Sequence, residues 1–390
     1  MSQGTSSVRV DSNVAQRLIE HIRNKTTDTA PSELRIPIDQ FVNPARADAE
    51  IALLKRLPVI VAHESELKDT GSYVTREVLG VALLIVRQSD GSVAAFHNMC
   101  RHRGGRVEQA AAGSKRVFMC QYHGWAYNSE GGNLRHVPYE ESFGEIDRSC
   151  NGLKRFTTHV RHGFVLVELS SPPGRSIAGY FGPEVDAELA PWGLERSQIF
   201  LDKSFTLNIN WKLVMDGAVD SMHPQFLHVG GVGKLVATHT AVFQAYGKHG
   251  KLFQPRRKLE QLVREGAELE GSSKYISSLL LLYPNALIIG APDHVEFWTV
   301  WPVPGNPNQS TVHIRFLVRP EILSPEMESR INASWDILAN AATQEDWPME
   351  EFIQKNAQAN PEGTFVYGKN ERAAQHLHWQ LIEDLGNGAS

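Results

Sequence analysis

The sequence predicts an α+β protein in which two opening helices precede a small all-β domain and a larger domain of strands and helices. Three observations carry that prediction. The length of 390 residues exceeds one small core and suits roughly two domains of about 150 residues each, with chain left over. The periodicity changes along the chain, from helical spacing to short β-rich runs and then to a mixture. The run Ser170-Ser171-Pro172-Pro173-Gly174 is a linker signal, because paired prolines and a glycine continue neither a helix nor a central strand.

The elements follow in order. Val14, Leu18 and Ile22 recur at helical spacing in residues 13–25, and Ile51 and Leu54 do so in residues 45–56, which Pro58 ends. Between them and the linker lie β-rich runs at 59–61, 81–86, 93–96, 117–119 and 164–169, separated by Gly, Asp, Asn and Ser. Beyond the linker the patterns predict a helix over 177–189, a strand at 200–207 and a helix from Asn210. Strands at 277–289, 295–303 and 311–318 follow. Residues 326–354 and 370–385 are helical in pattern, the second with Glu371 in its first turn. The expected divisions are 1–57 as an N-terminal helical segment packing with the last domain, 58–172 as the all-β domain and 173–390 as the last domain.

Composition narrows the function. Lys and Arg number 39 against 44 Asp and Glu, a net charge of −5 that argues against nucleic acid as the main partner. An apolar fraction of 42% supports an ordinary core and excludes a disordered chain. The longest aliphatic runs, 81–86 and 279–282, fall short of the roughly 18 residues of a membrane span. No secretory pattern opens the sequence, so the expected location is the cytoplasm. Three cysteines, Cys100, Cys120 and Cys150, make no disulfide framework and point to metal or catalytic chemistry.

The strongest motif is Cys100-Arg101-His102, 17 intervening residues, and Cys120-Gln121-Tyr122-His123. Each loop offers one thiolate and one imidazole. A two-iron two-sulfur Rieske centre needs this supply, since two cysteines hold one iron and two histidines the other. Zinc also accepts two Cys and two His, but its sites more often pair like with like in sequence. The neighbouring Arg103-Gly104-Gly105 and Gly124-Trp125 suit tight loops over a cofactor.

On these residues, and on the run Ala95-Phe96-His97-Asn98-Met99-Cys100-Arg101-His102-Arg103-Gly104, the chain resembles the terminal-oxygenase α subunit of the Rieske non-haem iron ring-hydroxylating oxygenases. The resemblance runs from about Val59 onward. It implies a small all-β Rieske domain and a catalytic domain of helix-grip fold, a curved antiparallel sheet against a long C-terminal helix. It also implies two cofactors per chain, one 2Fe-2S cluster held by Cys100, His102, Cys120 and His123, and one mononuclear Fe(II).

Ligands for that second metal are present. Asp220 and His223 are three apart and would share a helical face, while His228 is five from His223, with Pro224 biasing the chain out of helix between them. Two histidines need one carboxylate to complete a facial triad with open positions. In Gln344-Glu345-Asp346-Trp347, Asp346 matches the family's carboxylate position and is preferred to the adjacent Glu345. By resemblance, Asp220 bridges His123 of one subunit to His223 of the next. Many family members have Asn after the acidic residue at 216, whereas this chain has Gly217, so that amide's role is not carried over.

The resemblance further implies oxygen activation with electrons from NAD(P)H through a separate flavin reductase, with or without a ferredoxin. The chain has no Gly-x-Gly-x-x-Gly fingerprint of its own. A head-to-tail homotrimer is implied, with or without β subunits. Apolar segments at 214–215, 226–227, 278–282, 287–289 and 297–301 favour an apolar aromatic or related cyclic substrate undergoing cis-dihydroxylation. The same machinery would serve a monooxygenase that hydroxylates or removes O- or N-methyl groups, and Trp298 and Trp301 could cage a quaternary amine. A Rieske electron-transfer module with a docking domain is the third reading, which Asp220, His223, His228 and Asp346 oppose.

Overall fold

The computed structural model describes residues 12–170, 176–237, 239–267 and 271–386. Residues 171–174 of the expected linker lie outside them. The chain forms two compact units, one of Leu54–Tyr180 with Leu194–Ile199, the other of Met1–Leu53, Phe181–Gly193 and Phe200–Ser390.

In the first unit, seven antiparallel strands pair in the order Val59–His63, Phe164–Glu168, Arg155–Arg161, Val93–His97, Val81–Arg87, Ser72–Val78 and Ala112–Ser114. A second sheet joins Val117–Met119, Ala126–Asn128 and Leu134–His136. Leu83, Leu84, Ile85 and Val86 are all buried, so this strand packs on both faces and reads as a continuous apolar run. Tyr73, Phe96, Phe118, Trp125 and Tyr127 build a core that also encloses Cys100 and Cys120.

The second unit holds a curled half-barrel of seven strands in the order Gln198–Leu207, Asn306–Val318, Val295–Val303, Ala286–Gly290, Ile276–Leu282, His249–Pro255 and Val242–Tyr246, antiparallel from Asn306–Val318 onward. Helices Ser12–Asn24, Trp211–Val219, Pro325–Asn340, Trp347–Ala359 and Arg372–Leu385 belong to the same unit, as does helix Pro44–Arg56 as far as Leu53. The expected α+β class holds, with a curved antiparallel sheet and a C-terminal helix.

The differences are local. The stretch 277–289 is two strands, turned by Tyr283-Pro284-Asn285, where proline supplies no ladder donor. The stretch 326–354 is two α-helices joined by a π-helical turn, Ala341–Asp346. The helix placed over 177–189 begins only at Gly182, with a proline at its start. Glu371 precedes the last helix rather than lying in its first turn, and its side chain accepts from the Gly368 amide.

The N-terminal segment anchors the helix that leads into the candidate site. Asn210 caps that helix, its side chain accepting from the Lys212 amide, and its Nδ2 donates to the Phe41 carbonyl at 3.0 Å. Within the helix, the Trp211 indole donates to Glu50 Oε2 at 2.8 Å and Lys212 Nζ to Glu50 Oε1 at 2.5 Å. Both members of that ion pair are buried, and their lost hydration is further offset by Arg46 Nε, which donates to Glu50 Oε1 at 2.9 Å, and by the Gln40 carbonyl, which accepts from Lys212 Nζ at 2.8 Å. A pairing not read from the sequence, Leu34–Pro37 with Thr364–Tyr367, brings residues 365–367 to the same region.

Candidate active site

The two cysteine-histidine loops are built alike. Cys100 N donates to the Gly105 carbonyl at 2.7 Å and Cys120 N to the Trp125 carbonyl at 2.9 Å. In each loop a glycine four residues after the cysteine returns its amide to that cysteine's carbonyl, Gly104 and Gly124 both at 2.9 Å. Both adopt positive φ, +78° and +72°, a conformation that a side chain at either place would strain. Their convergence brings the His102 and His123 rings to 4.7 Å between centroids, and His102 stacks on Trp125 at 5.2 Å. The Cys100 sulfur lies 3.3 Å from the Tyr127 hydroxyl, which also accepts from the Arg101 amide. Cys100 and Cys120 are buried while His123 is exposed, so the sulfurs face the core and this imidazole faces outward. Cys150 is exposed.

In the second unit the helix ends at Val219, and the extended backbone of Asp220 breaks it four residues before Pro224. Asp220 and His223 therefore meet through a turn and not along a helical face. Asp220 Oδ1 accepts from the Met222 amide at 2.6 Å, and Oδ2 accepts from the His223 amide at 3.3 Å and lies 3.2 Å from His223 Nδ1. His223 and His228 then flank the short helix Pro224–Leu227, which turns both rings inward.

The outcome is a convergence of three donors. His223 Nε2 and His228 Nε2 are 3.1 Å apart, and Asp346 Oδ1 lies 3.4 Å from the first and 3.0 Å from the second. Donors bonded at about 2.1 Å and at right angles to one another stand about 3 Å apart, so this spacing fits one face of an octahedral ion. The neighbouring Glu345 does something else, accepting from His228 Nδ1 at 2.6 Å. Asp220 and Glu345 thus hold the outer nitrogens of the two imidazoles and leave both Nε2 atoms directed at Asp346. The π-helical turn ends at Asp346 and sends adjacent carboxylates to opposite nitrogens of one ring. Burial works against charge on His223, yet the carboxylates of Asp220 and Asp346 raise it to about 9, so positive charge is favoured at this point, as a divalent metal would provide it.

Beside the triad lies a cavity of about 410 Å³. His223, Asp346 and Asp220 stand on it with Leu213, Leu227 and Ile353. Of the apolar segments expected to form a pocket, only Leu227 lines it; those at 278–282, 287–289 and 297–301 are largely buried in the sheet, Val214 and Met215 are buried on their helix, and Phe226 is exposed. Trp298 and Trp301 lie on strand Val295–Val303 and are no part of the lining, their indoles donating to Glu296 and Thr299.

Residues 58–157 match the Rieske 2Fe-2S domain family, and residues 192–386, half of the chain, match the catalytic domain of the ring-hydroxylating α subunit. The chain belongs to the ring-hydroxylating oxygenase α-subunit family. Its two matched regions are a 2Fe-2S domain and a catalytic domain that in this family holds a mononuclear iron. The chemistry of the two donor sets fits both groups, two thiols with two imidazoles in one unit and two imidazoles with a carboxylate in the other.

Among the relatives of this α subunit, the anthranilate 1,2-dioxygenase large subunit of Acinetobacter baylyi is 28% identical over 201 residues, 50% of this chain and 42% of the relative. The large oxygenase component of a 2,4-dinitrotoluene dioxygenase system from Burkholderia sp. is 31% identical over 229 residues, 57% of this chain and 47% of the relative. The chain spans about half the length of the curated relatives it matches. In fold it is similar to the quaternary ammonium Rieske monooxygenase CntA, with a TM-score of 0.77 at 17% identity over 94% of this chain and 98% of that one. Naphthalene 1,2-dioxygenase of Rhodococcus sp. gives 0.72 at 18% identity, covering 97% and 100%. Among the described residues no helix is long and apolar enough to cross a membrane.

Proposed function

We propose that this chain is the terminal oxygenase of a multicomponent Rieske system, with Cys100, His102, Cys120 and His123 as cluster ligands and His223, His228 and Asp346 as ligands of the mononuclear iron. The observation that carries the reading is the convergence of the two Nε2 atoms and Asp346 Oδ1 at 3.0 to 3.4 Å. When bound, the cluster would supply one-electron transfer and the iron oxygen activation, with electrons from NAD(P)H delivered by a separate reductase, directly or through a ferredoxin.

The chain's own residues set the geometry. Asp220 and Glu345 fix the imidazole rings and their tautomers by accepting from the outer nitrogens. Asp220 is proposed to accept a second hydrogen bond, from His123 of a neighbouring subunit, which makes a head-to-tail homotrimer part of this reading. Leu213, Leu227 and Ile353 give the cavity an apolar wall against which an aromatic or related cyclic substrate would lie, excluding water from the reacting carbon. The reaction read first is cis-dihydroxylation of such a substrate. Monooxygenation, including O- or N-demethylation, is the second reading, favoured by the carboxylates around the same cavity.

A single turnover of chemically pre-reduced, iron-replete protein with labelled dioxygen tests this, using a panel of arenes, aryl carboxylates, methyl ethers and amines analysed by mass spectrometry. Two labelled oxygens in one product are expected for dihydroxylation. One labelled oxygen, or loss of a methyl group, would select the second reading, and iron-replete protein that oxidises nothing on reaction with dioxygen would overturn both.

A further inference from the structure

Five carboxyl groups line the cavity beside the metal triad, Asp216, Asp220, Asp346, Glu350 and Glu371, and no lysine or arginine accompanies them. Four have partners already. Asp216 accepts from the Tyr367 hydroxyl at 2.6 Å and from His378 Nε2 at 2.9 Å, and Glu371 accepts from the Gly368 amide. Asp220 and Asp346 hold and face the imidazoles. Glu350 stands apart. It is only 8% exposed, it lies on the cavity wall, and its Oε2 has no hydrogen-bond partner among the described residues.

The position of Glu350 depends on one residue opposite. A Cβ at Gly217 would fall 2.1 Å from Glu350 Oε1, so the glutamate fills the room that any side chain at 217 would take. Glycine inside a helix costs about 1 kcal/mol relative to alanine, a cost with no local return in Trp211–Val219. Here the return is space for a buried carboxyl. Burial holds that carboxyl well above its ordinary range, and the charges of Asp346 and Asp216 push the same way. A polar atom desolvated without a partner persists where something else completes it.

We propose that Glu350 is a specificity-determining residue and that the substrate is an organic cation, its ammonium centre against Glu350 Oε2 and its apolar body along Leu213, Leu227 and Ile353. An anionic substrate would meet five carboxyl groups, and a neutral arene would leave Oε2 unpartnered. A cation completes Oε2 by favouring the ionised form of Glu350, which burial alone disfavours. The assignment rests on the proposed function only in taking this cavity as the substrate site.

Holoenzyme of verified iron and cluster content is titrated at pH 7 with three probes of one size, benzylammonium, benzyl alcohol and benzoate, and dissociation constants are measured by calorimetry. Benzylammonium is expected to bind about tenfold or more tighter than benzyl alcohol, with benzoate weakest. Glu350→Gln removes that preference and changes benzyl alcohol binding less than about twofold. Gly217→Ala, which displaces the glutamate, lowers the preference as well, and Glu350→Met provides a second variant should the glutamine form fold poorly. Equal binding of cation and alcohol by the unmodified enzyme overturns the proposal, as does a preference that survives Glu350→Gln. Protein lacking mononuclear iron would count against the proposed function, whereas iron-replete protein without a cation preference would count against Glu350 alone.

Discussion

Glu345 and Asp346, adjacent in the chain, meet opposite nitrogens of one imidazole, Glu345 at 2.6 Å from His228 Nδ1 and Asp346 at 3.0 Å from His228 Nε2. In a regular α-helix, consecutive side chains point about 100° apart. The π-helical turn Ala341–Asp346 lets both reach the same ring. The two carboxylates should therefore fail differently. Asp346→Ala is expected to lose mononuclear iron while the visible absorption of the cluster persists. Glu345→Ala is expected to keep iron with an affinity weakened roughly 10- to 100-fold. Metal analysis with visible spectroscopy separates the cases, and iron retained at full occupancy in Asp346→Ala would move the ligand to another carboxylate.

Asp220 carries no proposed metal bond, so its loss should leave both cofactors in place. Asp220→Ala is expected to retain cluster and iron but to slow substrate-coupled oxidation of the reduced cluster by roughly 10- to 100-fold. Stopped-flow absorbance of pre-reduced protein mixed with substrate and dioxygen reads the rate directly. An unchanged rate would show that Asp220 does not link the cluster histidine to the iron site.

Tyr127 offers its hydroxyl to the Cys100 sulfur at 3.3 Å from inside the core. A donor to sulfur favours the reduced cluster, because reduction adds negative charge there. Loss of one such bond, worth about 1 kcal/mol, corresponds to a one-electron potential lower by about 40 mV. Tyr127→Phe is thus expected to lower the cluster potential by that order in a spectroelectrochemical titration. A potential that stays the same or rises would show that the bond does not tune the cluster.

Legibility in the sequence followed the range over which each feature is determined. Cys100, His102, Cys120 and His123 stood out because a cluster needs those residue types at short spacings, and glycine at 104 and 124 marked the turns. His223 and His228 were readable as a pair, but the break between helix and ligand loop was placed at Pro224 and occurs at Asp220, whose side chain caps the turn. The π-helical turn left no local signature, since Ala341, Ala342, Gln344 and Glu345 are good α-helix formers and no glycine or proline interrupts them. The cavity wall was hidden for another reason. Phe365 and Tyr367 reach it through pairing with Leu34–Pro37, more than 300 residues away. Meanwhile the aliphatic runs at 278–282 and 287–289 mark burial without saying against what, and they pack largely within the sheet. Glu350 was within reach of a spacing argument, one helical turn after Asp346.

Lys212 and Glu50 form a buried pair that ties the site helix to the N-terminal segment, with side-chain exposures of 1% and 0%. Removing Lys212 leaves the buried Glu50 carboxylate with Arg46 as its remaining cationic partner, so the cost is expected below the roughly 3–5 kcal/mol of a fully stranded buried charge. Lys212→Met is therefore expected to lower the thermal midpoint more than the double change Lys212→Met with Glu50→Gln. Calorimetric scans of the three proteins test the order. A single variant as stable as the unmodified protein would mean that water reaches the pair.

His294 provides the pH test, since it lies on strand-flanking sequence away from the metal triad. Its Nδ1 is 2.7 Å from Asp293 Oδ1, its Nε2 is 3.8 Å from Glu296 Oε1, and its ring stacks on Phe316 at 4.0 Å. Burial lowers the imidazole, but Asp293 and Glu296 outweigh it and raise the group from 6.5 to about 9. Because the folded value exceeds the unfolded one, this contribution to stability is complete below pH 6.5 and is lost as pH rises through about 9. Asp293, lowered chiefly by its bond to His294, contributes in the opposite sense and is lost only in acid. The stability gap between the unmodified protein and His294→Gln is expected to be largest between pH 5 and 6.5, at roughly 1–3 kcal/mol, and to close toward pH 10. Differencing the two proteins cancels the other titrating groups, so a gap that stays constant from pH 6 to pH 10 would show His294 to be neutral in the fold.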